Sequence, residues 1–190
     1  MISAIIYSSL GYSTEVFADN VNCGTVALLD QQGICKGTAG ADNIEGTNED
    51  DKIAAGPGND IINGQSGNDI ISGNAGADTI DGQQGDDIIN GGSFDDTIAG
   101  EAGDDDISGG AGSDNLSGGQ GSDTIFGGPS DDILEGNQGI DGINCGAGDN
   151  DKVIGFVLDE DVFIDINGNP ITFGTIADQA AAAGCEQFQR

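Results

Sequence analysis

The 190-residue sequence contains no histidine and no tryptophan. Without imidazole there is no His-based triad, no His zinc site and no imidazole general base. Basic residues are almost missing too: Lys36, Lys52, Lys152 and Arg190 stand against 34 acids, a formal net charge of -30. No basic patch can form, which argues against nucleic acid and anionic membrane surfaces as partners. No apolar run approaches the roughly 18–20 residues of a membrane-spanning helix. Only four cysteines occur, with no CxxC spacing among them, and that argues against zinc.

What the sequence does have is a period. Residues 37–144 divide into twelve consecutive nonapeptides without insertion or deletion; a typical unit is Gly73-Asn-Ala-Gly-Ala-Asp-Thr-Ile-Asp81. Position six is Asp in all twelve: Asp42, Asp51, Asp60, Asp69, Asp78, Asp87, Asp96, Asp105, Asp114, Asp123, Asp132 and Asp141. Position eight is Ile in ten and Leu in two, Leu116 and Leu134. Position one is Gly except at Ala55, and position four is Gly in nine units. Four columns held in phase mark a repeat architecture rather than a disordered Gly/Asp-rich linker.

The residue types suggest a chemistry. Glycine at positions one and four allows φ > 0 and lets the backbone curl so that carbonyls converge. An aspartate following in that loop adds a hard anionic oxygen. Such a set suits Ca²⁺, with 6–8 oxygens in loose geometry, better than the stiff octahedron of Mg²⁺. Positions seven to nine predict a short strand with position eight facing inward.

The pattern resembles the RTX (hemolysin-type) calcium-binding nonapeptide repeat, G-G-x-G-x-D-x-U-x. Units 109–117 and 118–126 match it at every fixed position. The resemblance implies an all-β fold, a right-handed parallel β-roll solenoid of 18 residues per turn, with Ca²⁺ held between loops of successive turns. It stacks Asp42 with Asp60, Asp51 with Asp69, and so on to Asp123 with Asp141, which implies six turns and roughly ten Ca²⁺ sites. Ten ions would reduce the charge to about -10. With one committed aliphatic residue per nonad, the repeat has the composition of a disordered chain until metal binds, so binding and folding are expected to be one event.

Three units replace the position-four glycine, with Glu49, Phe94 and Ser130, and each is followed by paired acids: Asp50-Asp51, Asp95-Asp96 and Asp131-Asp132. A left-handed conformation at position four would cost a non-glycine residue about 1–2 kcal/mol. The first acid of each pair reads either as an extra ligand or as a solvated side chain.

The flanks divide as follows. Residues 1–18 resemble a secretory signal cleaved after Ala18, with Val16 and Ala18 fitting the small-residue rule but no Lys or Arg at the start. The rival is an N-terminal strand that caps the roll. Residues 19–36 form an N-terminal cap, 37–150 the roll, and 151–190 a C-terminal cap. Within the last, Val153–Leu158 and Val162–Ile166 read as strands, Asn167-Gly168 as a hairpin turn into Ile171–Phe173, and Thr175–Ala183 as a short capped helix. An extra residue after Cys145 shifts Asp151 out of phase. Cys23 and Cys35 lie before the array and Cys145 and Cys185 after its last full unit. Of three pairings, Cys23–Cys35 with Cys145–Cys185 staples each end locally. An even cysteine count points to an oxidising compartment.

The reading is a secreted, extracellular calcium-binding β-roll, not an enzyme, with a structural or cell-surface adhesive role. Paired carboxylates are abundant, but all belong to periodic loops. The alternative is a filament subunit built by end-to-end or strand-exchange stacking; a hydrolase or an ice-binding protein ranks lower. Ice binding needs a uniform outward ladder. Position seven instead runs Asn43, Ile61, Thr79, Thr97, Asn115, Ile133 on one face and Lys52, Ile70, Ile88, Asp106, Thr124, Gly142 on the other.

Overall fold

A computed structural model describes residues 21–24, 33–148, 150–154, 162–164, 184–185 and 187–189. Among these the secondary structure is strand only, in chain order β1 (Val21–Asn22), β2 (Cys35–Lys36), β3 (Asn43–Glu45), β4 (Lys52–Pro57), β5 (Ile61–Asn63), β6 (Ile70–Ala75), β7 (Thr79–Gln84), β8 (Ile88–Ser93), β9 (Thr97–Ala102), β10 (Asp106–Ala111), β11 (Asn115–Gln120), β12 (Thr124–Pro129), β13 (Ile133–Gln138), β14 (Gly142–Ala147), β15 (Lys152–Ile154), β16 (Val162–Phe163) and β17 (Gln187–Gln189). The odd strands form one nine-stranded sheet and the even strands an eight-stranded one, each in chain order. Neighbours pair in parallel, 18 residues apart through the array, for example Ile62 with Ile80 and Ile71 with Ile89. The result is a β-solenoid of about seven turns.

Each turn follows from the nonad. Strand pairing begins at position seven, directly after the aspartate, and most strands run through position three of the next unit. Positions seven and nine face out and positions eight and one face in. Ile44, Ile62, Ile80, Ile98, Leu116 and Leu134 stack along one sheet and Ile53, Ile71, Ile89, Ile107, Ile125 and Ile143 along the other, all buried. This is the expected pair of inward aliphatic columns.

The columns extend past the repeat at both ends. Cys35 lies in register with Ile53 and Val21 with Ile44, so β1 and β2 add a rung to each sheet. At the other end Val153 pairs with Leu134, Phe163 with Ile143 and Phe188 with Val153. Nonapeptide spacing has lapsed there, yet Val153 stays buried in the apolar column. The disulfides join Cys23 to Cys35 and Cys145 to Cys185, with Cα–Cα separations of 5.4 and 5.0 Å, the pairing favoured above. The signal region 1–18, the hairpin at Asn167-Gly168, the strand Ile171–Phe173 and the helix from Thr175 lie outside the described residues.

Candidate metal centre

The loops between the two sheets carry the position-six aspartates. Each carboxylate stands under the main chain of the turn before it: Asp60 N–H donates to Asp78 Oδ1 and Asp69 N–H to Asp87 Oδ1, both at 2.8 Å. The same bond recurs at every 18-residue step from Asp42→Asp60 to Asp123→Asp141, at 2.8–3.0 Å. Two ladders of carboxylates therefore run along the roll, one on each edge.

A ladder bond uses only one oxygen. In Asp60, Asp69, Asp78, Asp87, Asp96, Asp105, Asp114, Asp123 and Asp132 the other, Oδ2, is buried and accepts no hydrogen bond. A buried anionic oxygen without a donor costs several kcal/mol, so it calls for a cation or a proton. Burial raises all nine. Asp69, Asp78 and Asp105 reach about 6, and Asp87, Asp96, Asp123 and Asp132 about 7. The ladder N–H pulls each back only in part, and neighbouring carboxylates push it up again.

The glycines act differently from expectation. Positive φ occurs at position two, in every unit from Gly56 to Gly146 and including Gln65, Asn74, Gln83, Glu101 and Asn137, and at most position fours. Position one is not left-handed. At Gly64 it is close approach that favours glycine: a Cβ there would stand 2.5 Å from Asp69 Oδ2 and 2.8 Å from the carbonyl oxygen of Gly82. The orphaned carboxylate oxygen and a carbonyl from the next turn thus crowd the same spot. Among the described residues no group of three or more acidic or cysteine side chains gathers for a metal. A cation at these loops would be held by ladder carboxylates together with backbone carbonyls, the hard-oxygen set that suits Ca²⁺.

Position five forms a second ladder. Asp50, Asn59, Asn68, Asp86, Asp95 and Asp104 each accept, through Oδ1, the position-five N–H of the following turn, at 2.7–3.1 Å. Asp50 and Asp95, the first acids of two departing units, are exposed and make this bond, as does Asp131 to Asn150 N–H at 3.2 Å. Phe94 and Ser130 take φ of 79° and 86° at position four, whereas Glu49 stays out of the left-handed region.

Asp151 is out of phase by count but in place by geometry. The last turn has 19 residues instead of 18, and Asp132 N–H reaches Asp151 Oδ1 at 2.7 Å. Asp151 is buried and closes the ladder begun at Asp42. The signal was available: Asp-Lys-Val153 repeats the aspartate–outward–inward order of positions six to eight.

A parallel solenoid with buried carboxylate ladders in its loops is the architecture of a metal-binding β-roll. The family model described as the RTX calcium-binding nonapeptide repeat (4 copies) matches residues 36–71, 55–89, 63–98, 82–116 and 108–143. These segments span more than half of the chain, which belongs to this family. No curated protein matches it.

Proposed function

We propose that this is an extracellular calcium-binding β-roll whose folding is driven by Ca²⁺, with a structural or cell-surface role and no catalytic one. The observation that carries the reading is the row of nine buried Oδ2 atoms without a hydrogen-bond donor. Side-chain burial does not offset them. Ca²⁺ bound between loops compensates these oxygens, so the position-six aspartates are its ligands and folding needs free Ca²⁺ at about 10⁻⁴–10⁻³ M, an extracellular level. Two buried disulfides fit an oxidising compartment.

Far-UV circular dichroism of the disulfide-intact chain during a calcium titration from chelator tests the reading. Strand signal should rise with Ca²⁺ and respond poorly to Mg²⁺. A full strand signal in excess chelator at neutral pH would overturn it.

A further inference from the structure

Asp42 and Asp51 differ from the nine open carboxylates. In each, Oδ2 accepts the main-chain N–H of a threonine four residues earlier, Thr38 or Thr47, at 2.6 Å. The threonine hydroxyl lies 3.0 Å from the same oxygen in Asp42 and 2.9 Å in Asp51. That hydroxyl in turn accepts the position-four N–H, from Gly40 or Glu49, at 3.2 Å. The chain of donors runs from position four through the threonine to the carboxylate, and it fills the oxygen that interior loops leave open.

The cause is at position two. Every later unit takes positive φ there. Threonine is β-branched and disfavours that region, and Thr38 and Thr47 both stay out of it. The loop then turns its position-two N–H inward to the aspartate. Position four is released from its left-handed conformation as well, which explains why Glu49 is accommodated there without strain.

We propose that nonapeptides 37–45 and 46–54 form a metal-independent end turn closed by Thr38 and Thr47, and that Ca²⁺ is bound only from Asp60 onward. The turn lies against β1 and β2, the rungs tied together by Cys23–Cys35. A solenoid end that needs no ion gives the calcium-dependent turns a finished surface to stack on. The inference rests on the calcium reading above and narrows it: Asp132–Asp151 adds an eleventh stacked pair to the ten implied, and the pairs beginning at Asp42 and Asp51 drop out, leaving about nine sites.

The test counts ions. The disulfide-intact chain is equilibrated by dialysis against saturating Ca²⁺, and bound calcium is measured by atomic emission for the wild type, Asp51→Asn and Asp69→Asn. About nine equivalents are expected for the wild type, the same number for Asp51→Asn, and a loss of about one for Asp69→Asn, whose remaining site is the one shared with Asp87. About eleven equivalents in the wild type, or a loss of calcium in Asp51→Asn, would overturn the end turn. If Asp51→Asn does not fold, Thr47→Gly decides. It frees position two to become left-handed and should add about one equivalent; an unchanged count refutes the role of Thr47. A wild type that binds no calcium yet keeps its strand signal in chelator would instead remove the calcium reading itself.

Discussion

The main-chain N–H of Asp60 donates to Oδ1 of Asp78, 18 residues ahead and 2.8 Å away, while Asp78 Oδ2 accepts no hydrogen bond. One side chain thus both ties two turns together and presents an unsatisfied anion. Asp78→Ala removes a charge-assisted hydrogen bond and, on the proposed function, a calcium ligand at once. It should cost the calcium-loaded roll about 1.5–3 kcal/mol and raise the calcium midpoint. Asp106→Ala, at an exposed outward position, should change neither. Parallel calcium titrations and urea melts of the two variants check this, and equal effects would show that the ladder carries no special share of stability.

Protons should substitute for calcium in part. Burial holds Asp87, Asp96, Asp123 and Asp132 at about 7 against an ordinary value of 3.8. Between those values the folded roll binds more protons than the unfolded chain, so metal-free stability falls as pH rises through that window. The contribution is fully present below about 3.8 and is lost by about 7. In chelator, strand signal should therefore grow as pH is lowered from 7.5 to 5, above the sequence pI of 4.1 where precipitation interferes. A flat profile, or one rising with pH, would contradict buried, proton-hungry carboxylates.

The strands and their facing were legible because position eight is a physical period: an inward Ile or Leu every nine residues admits one register, and Ile62 over Ile80 is its direct expression. The loop was legible only in composition. Gln83 and Glu101 sit in the left-handed region, and neither residue type announces that conformation. The position-one glycines look like turn glycines in sequence but serve contact between turns, which depends on a residue 18 positions away. Asp151 escaped because a 19-residue turn breaks the count while keeping the geometry. Thr38 and Thr47 escaped for the opposite reason: position two varies so widely that a β-branched residue there attracts no notice.

The C-terminal disulfide should matter to the last turns. Cys145, at nonapeptide position one within β14, is buried and is joined to Cys185 across 40 residues of sequence. Closing a loop of that length contributes about 3–4 kcal/mol in the chain-entropy view. Cys145→Ser with Cys185→Ser should lower stability by about 2–4 kcal/mol. Amide exchange should show protection lost first around β14 and β15, while β6 to β9 stay protected at saturating calcium. Uniform loss along the roll would mean that the solenoid unfolds as one unit.

The glycine columns provide the sharpest steric test. At Gly64 a methyl group would meet Asp69 Oδ2 at 2.5 Å, the Gly82 carbonyl oxygen at 2.8 Å and Ile71 Cδ1 at 3.2 Å. Backbone lies on one side and the core on another, so the carboxylate is the group that must move, and it would leave the ladder. Gly40 is also a repeat glycine, but a Cβ there meets nothing within 4 Å and its φ is not left-handed. Gly64→Ala should destabilise the calcium-loaded roll by more than about 2 kcal/mol, whereas Gly40→Ala should stay within about 0.5 kcal/mol. If glycine were needed only for flexibility, both substitutions would instead stabilise slightly by restricting the unfolded chain. Urea melts at saturating calcium separate the two outcomes, and equal midpoints for the two variants would refute the close-packed stacking of turns.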